Sequence, residues 1–283
     1  MIPLAGGEVS VLRYGASGAR PMLFAHANGF CASAYRQMFE ALGDRFDVFG
    51  VDLRGYGATK LPVDPGSHRS MDIFAEDVRA LVPALTSQFE ISQKWIFAGH
   101  SLGGATVTLA AVGRDDVAAL RLIEPAAMPG SWALAARSPL WPMIAGKIPL
   151  VRAARGRRAV WPDRVSVKTS YAKKPFFSTW APGALDDYLA DGLREEGSGV
   201  VLACAPAWEA ATFAGQAHDF WGALKRAPGP VTVLAANHPT TTVPVSSIRQ
   251  LEKRGARVIR SSGPTHLIPL ENPRMAAEFL AGA

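Results

Sequence analysis

The sequence predicts an α/β fold, a mostly parallel central sheet flanked by helices, and three observations predict it. Short apolar runs alternate with longer segments of helical periodicity, the order that winds parallel strands through crossover helices. The apolar runs are near-continuous, as strands covered on both faces require. One of these runs passes into a helix-like stretch through a glycine-rich turn, Gly99-His100-Ser101-Leu102-Gly103-Gly104.

In chain order, residues 8–13 and 21–26 read as strands, 32–43 as a helix and 47–53 as another strand. The helix that follows is the clearest. Ile73, Phe74, Val78, Leu81, Val82 and Leu85 recur at helical spacing, with Asp72, Glu76, Asp77 and Arg79 between them. Residues 94–98 form the strand before the glycine-rich turn, 102–112 the helix after it, and 120–123 the next strand. Strand character resumes at 231–235 and 256–260, separated by a helix-like 245–254, and 273–280 closes the chain as a helix.

Residues 126–215 interrupt this alternation. They lack strand patterning, break on prolines and carry Trp132, Trp141, Trp161, Trp180 and Trp208. The expected organisation is a core of residues 1–125 and 216–283 with an inserted, mainly helical cap at 126–215. Within the cap, nine basic residues between Lys147 and Lys174 face a single acid, Asp163, a local excess larger than the net +6 of the whole chain. A solvated lid surface accounts for that charge, and peripheral contact with an anionic partner or membrane surface is the functional alternative. No nucleic-acid motif accompanies it, so nucleic acid is not an expected partner.

At 283 residues and 48% hydrophobic content the chain can fill a large interior. Its two cysteines, Cys31 and Cys204, lie far apart with no Cys/His grouping, which points to reduced thiols in a cytoplasm and to neither a disulfide framework nor a metal site. Residues 1–13 offer no signal-peptide pattern, and no apolar run approaches 18 residues, so neither secretion nor a membrane span is expected.

The turn around Ser101 has the form of a nucleophile elbow. Gly99 and Gly103 allow a strand-to-helix turn too tight for side chains at those positions, which leaves the Ser101 hydroxyl raised above the sheet edge. The Leu102 amide then lies at a helix N-terminus, where partial positive charge meets a developing oxyanion. A serine hydroxyl needs a base. His266, in Gly263-Pro264-Thr265-His266-Leu267-Ile268-Pro269 just after the last strand, has the order and setting for that role. His100 belongs to the turn and should point away from the hydroxyl, His26 ends a strand beside the site, and His68, His218 and His238 read as surface or cap contacts.

With the elbow, His26-Ala27-Asn28-Gly29-Phe30, Asp52-Leu53-Arg54-Gly55-Tyr56-Gly57 and the 263–269 loop with Glu271-Asn272-Pro273, the chain resembles the α/β-hydrolase superfamily over essentially its whole length. The resemblance implies a second oxyanion donor from the loop after the third strand. That donor is expected to be the Asn28 amide, with Phe30 as the alternative register, although Ala27 departs from the usual glycine. The resemblance also implies an acid after the strand at 231–235, yet no Asp or Glu occurs from Val231 to Leu251. Glu124, 23 residues beyond Ser101 at the end of an apolar strand and fixed by Pro125, takes that role in the expected triad. This is the arrangement of serine esterases and lipases that carry the acid after the sixth strand. Asn237 is the competing residue.

A serine at the elbow disfavours the related enzymes that use an aspartate there. The expected activity is carboxylic-ester hydrolysis of a small or medium, partly apolar substrate through an acyl-enzyme, with no cofactor and no metal. Carbon–carbon hydrolase, thioesterase and lactonase chemistry on the same residues stays open, as does a ligand-binding receptor with little turnover. Substrate length, stereoselectivity and oligomeric state are not encoded in these motifs.

Overall fold

A computed structural model describes residues 1–282. An antiparallel hairpin of β1 (Ile2–Leu4) and β2 (Gly7–Val9) precedes β3 (Val11–Gly15) and β4 (Arg20–Ala25). A 3-10 turn, Ala32–Tyr35, runs into α1 (Arg36–Leu42), followed by β5 (Phe46–Val51), α2 (Asp72–Gln88), β6 (Trp95–His100), α3 (Leu102–Ala111) and β7 (Val117–Ile123). The chain then leaves the sheet for α4 (Gly130–Ala136), α5 (Trp141–Ala145), α6 (Pro149–Arg155), β8 (Val160–Trp161), α7 (Arg164–Ala172), α8 (Ala184–Asp191), β9 (Leu193–Glu196), β10 (Gly199–Leu202) and α9 (Pro206–Ala214). It returns through α10 (Phe220–Lys225), β11 (Val231–Ala236), α11 (Val245–Glu252), β12 (Arg257–Ser261), α12 (Ile268–Glu271) and α13 (Pro273–Ala281).

Seven strands build the main sheet in the order β12-β11-β7-β6-β4-β5-β3. Every pair is parallel except β3 with β5. All six residues of β5 and all six of β6 are buried, and apart from Asp47 and His100 they are apolar because helices cover both faces. On one face α2 inserts Phe74, Val78, Leu81, Val82 and Leu85 beside α3. On the other, α1 and α13 insert Met38, Phe39, Phe279 and Leu280. The predicted mostly parallel, helix-flanked sheet with an inserted helical cap is the architecture observed.

Three details differ from the sequence reading. The single strand expected at 8–13 is two, because the Ser10 amide turns aside to donate to Thr59 Oγ1 at 2.9 Å. The helix expected from residue 32 begins as a 3-10 turn. The cap also contains a three-stranded antiparallel sheet, β8-β10-β9, where no strand was expected. In β9 only the first residue is buried and the next three are exposed, so the alternation that would reveal a strand is missing. Part of the cap's basic excess is answered locally, by Arg157 with Glu209, Arg164 with Glu195 and Lys168 with Asp186. Among the described residues no helix is long and apolar enough to cross a membrane.

Candidate active site

The elbow is as tight as its glycines suggest. A Cβ on Gly99 would stand 2.4 Å from the Gly103 carbonyl carbon, and one on Gly103 would stand 1.9 Å from the Ala25 oxygen. Only glycine lets β6, α3 and the end of β4 meet here. Between those glycines Ser101 holds φ 53°, ψ −113°, a left-handed conformation rare for a side-chain-bearing residue and concentrated at functional sites. Its amide donates to the Ile123 oxygen at 3.0 Å and its carbonyl accepts from the Ala126 amide at 3.0 Å. These two bonds bracket Glu124 and bring the elbow beside the end of β7.

Glu124 is fully buried and also has positive φ, 46°. A buried carboxylate is tolerated when its lone pairs are filled. Oε1 accepts from the Ala236 amide and the Thr241 hydroxyl, both at 2.7 Å, and Oε2 accepts from the Thr242 amide at 2.9 Å. The fourth donor is His266 Nδ1, 2.9 Å from Oε2. Because an ionised carboxylate only accepts, the proton lies on Nδ1, and Nε2 keeps a free lone pair. Among the described residues no hydrogen bond joins the Ser101 hydroxyl to His266. The link between their segments is His100, whose ring centroid is 4.9 Å from that of His266. Asn237 does not compete: it is exposed and accepts from Arg260.

The loop after β4 is held by two neutral histidines. His26 is buried, with Nδ1 donating to the Ala27 oxygen at 2.7 Å and Nε2 accepting from the Leu53 amide at 3.0 Å. Burial pushes its pKa down to about 4. His100 lies in a chain of bonds. The Ala27 amide donates to the Tyr35 oxygen at 3.0 Å, the Tyr35 hydroxyl donates to His100 Nδ1 at 2.8 Å, and His100 Nε2 donates to the His266 carbonyl at 2.9 Å. Burial, reinforced by the neighbouring His266, holds His100 well below the ordinary histidine range, so it remains neutral.

These bonds leave particular amides free. The Ala27 amide is taken by Tyr35 and the Phe30 amide by the Ala27 oxygen at 3.2 Å. Neither the Asn28 nor the Leu102 amide has a partner among the described residues. The Asn28 side chain is pinned, its Nδ2 donating to the Glu209 oxygen at 3.1 Å and its Oδ1 accepting from Tyr56 at 2.6 Å.

A family model described as the alpha/beta hydrolase family matches residues 22–279. The chain belongs to that family. Protein phosphatase methylesterase 1 of Schizosaccharomyces pombe is 31% identical over 104 residues, which are 37% of this chain; the chain spans 28% of that protein's length. Among solved structures, the thioesterase domain from the curacin biosynthetic pathway superposes with a TM-score of 0.78 at 15% identity, covering 99% of this chain and 97% of that one. E-2-(acetamidomethylene)succinate hydrolase gives 0.76 at 18% identity, with 97% and 94% covered. At such identities the likeness is one of fold.

In this α/β-hydrolase, then, the elbow, Glu124, His266 and the Asn28 loop lie at one rim of the sheet. Sequence reasoning missed the groups that support them. Ala236, Thr241 and Thr242 fill the loop where many members place the acid, and here that loop supplies donors to Glu124 instead. The signal was the run Thr240-Thr241-Thr242 in a loop without carboxylates. Glu271, part of the motif after the His266 loop, has a role that the motif does not reveal. It accepts from the Thr265 amide at 2.6 Å and the Thr179 hydroxyl at 2.5 Å, joining the His266 loop to the cap.

Proposed function

We propose that the chain is a serine hydrolase that cleaves a carboxylic ester of a small or medium, partly apolar substrate through an acyl-enzyme. The observation that carries this reading is the Glu124–His266 hydrogen bond, in which Nδ1 donates, so that Nε2 of the neutral ring is the nitrogen left to take a proton at the rim where the strained Ser101 stands. Ser101 Oγ attacks the ester carbon as His266 Nε2 takes its proton, and Glu124 stabilises the imidazolium that forms. The unpaired Leu102 and Asn28 amides receive the oxyanion, each worth about 2.7–4 kcal/mol in comparable hydrolases. His266 then protonates the departing alkoxide. Water, deprotonated by the same nitrogen, attacks the acyl carbon; as the second tetrahedral intermediate collapses, Ser101 regains its proton and the acid is released. The residues at 126–215 serve in this reading as the lid over the acyl group, and their aromatic content suits an apolar part.

The names of relatives, a methylesterase and a thioesterase domain, agree with acyl transfer to water. The test is covalent labelling by a fluorophosphonate together with a panel of p-nitrophenyl esters, thioesters and lactones. Labelling of the native protein, lost in Ser101→Ala and in His266→Ala, with the highest turnover on esters, is expected. Labelling with turnover only on thioesters or lactones would reassign the bond, and no labelling at all would favour a receptor.

A further inference from the structure

Above the Asn28 loop the cap gathers hydrogen-bond donors that have nothing to donate to. Arg157 is the centre of this group. Its Nη1 reaches Glu209 Oε2 at 2.8 Å, and that is its one side-chain hydrogen bond among the described residues. A guanidinium carries five N–H donors in a planar fork, so most of this one is unspent. Its side chain is 29% exposed, hence reachable. The same Nη1 lies 3.3 Å from where a Cβ on Gly29 would stand, one residue beyond the free Asn28 amide.

Aromatic side chains surround this region. Phe30 of the same loop lies 5.7 Å from Trp180 and 5.5 Å from Tyr188, centroid to centroid. Trp180 Nε1 is buried with no partner, and Trp180 itself is only 8% exposed. The Tyr171 and Tyr188 hydroxyls have no hydrogen-bond partner among the described residues. Burial raises the pKa of both tyrosines, and the Arg157 charge pulls both back, which places them within its electrostatic reach. Lys174, whose Nζ sits 4.4 Å from the Tyr171 ring centre, feels the same charge. With Glu209 as the single counter-ion, the two cations leave a local excess of positive charge. Every unfilled group named here except the second Glu209 oxygen can donate, the tyrosine hydroxyls being able to accept as well, and a set of donors beside aromatic side chains is complementary to a ligand rich in acceptors.

We propose that Arg157, with the Tyr171, Trp180 and Tyr188 donors, forms a carboxylate-binding subsite, so that the preferred substrates are esters whose acyl arm ends in a carboxylate. This rests on the ester-hydrolase reading and narrows its substrate class. The carboxylate docks on the guanidinium fork, the methylene arm lies along Phe30 and Trp180, and the ester carbonyl reaches the Asn28 amide.

The test compares 4-nitrophenyl hydrogen glutarate with 4-nitrophenyl pentanoate, which share a leaving group and chain length and differ in the terminal charge. The wild type is expected to favour the glutarate ester by about tenfold or more in kcat/KM, the scale of one charge-assisted contact. Arg157→Lys keeps a cation for Glu209 but loses the fork, and Tyr188→Phe loses only a hydroxyl. In each the ratio of the two substrates should fall severalfold, mainly through KM, and a ratio cancels general damage to the enzyme. Titration of glutarate into the wild type and into Arg157→Lys supplies the independent arm, with binding expected in the first and at least tenfold weaker in the second. A wild-type ratio near one, or glutarate binding unchanged by Arg157→Lys, overturns the subsite. Glutarate binding that depends on Arg157 in a protein that hydrolyses no ester would instead overturn the hydrolase reading and keep the subsite.

Discussion

The sheet rim and the cap face opposite it treat polar groups in contrary ways. At the rim, Glu124 holds four hydrogen bonds, and His26 and His100 each use both ring nitrogens. In the cap, Arg157 uses one donor of its fork and the Trp180 N–H has no partner. A filled network sets side-chain positions before any ligand arrives, whereas unfilled donors await one. On the proposed reading the rim carries the reaction and the cap the choice of substrate. Substitutions in the first should lower kcat on every ester, and substitutions in the second should act through KM on some.

The largest expected effect is at the rim. Glu124→Gln removes the acceptor that fixes the His266 tautomer, and loss of the equivalent carboxylate in serine hydrolases costs about 10^4 in kcat. Steady-state kinetics on a neutral ester checks it, and a loss below tenfold would mean that Glu124 only packs. Next comes acid. His26, His68 and His218 are held down to about 4 by burial, and burial also holds His100 well below the ordinary histidine range. In the unfolded chain each takes a proton near pH 6.5, so the folded state loses stability as pH falls from about 6.5 towards 4, on the order of 3 kcal/mol per residue at most. Asp52, pushed up to about 6 by burial, gains stability as pH falls below 6, and Asp77 and Glu209, also raised by burial, oppose the histidines in the same sense, three groups against four. Urea midpoints measured at pH 7.5, 6 and 5 should fall in that order.

A smaller effect is expected from Tyr35→Phe, which leaves the Ala27 amide and His100 Nδ1 without partners at the cost of about 1–3 kcal/mol of stability for each buried group. Turnover should drop by about tenfold as the two loops loosen relative to each other, with KM nearly constant. Unchanged kcat beside a lowered melting temperature would confine that chain of bonds to stability. The smallest effect is at Asn237. Exposed and bonded to Arg260, it should tolerate alanine with activity within twofold and stability within about 0.5 kcal/mol.

What was legible in the sequence follows from how locally each feature is specified. The main strands and the elbow are written in contiguous residues, through apolar runs and through glycines whose Cβ positions would collide with backbone. Glu124 was legible because a lone carboxylate closing an apolar strand needs a partner. The bonds that hold it were not, since the Thr241 and Thr242 donors lie more than a hundred residues downstream. Tyr35 and His100 are likewise 65 residues apart, and nothing in either local pattern names the other. The small cap sheet escaped because its strands are two to four residues long, too short for a pattern to stand out, and β9 exposes three of its four residues.

Glu271 has a mechanical consequence. Its carboxylate grips Thr265, next to His266, and Thr179 of the cap, while the Leu270 oxygen accepts from the Ala181 amide at 2.7 Å. Lifting the cap would tug on the hinge of the imidazole. On the proposed reading, the candidate base and the roof beside it would therefore shift as one piece, so that the position of one is not set independently of the other.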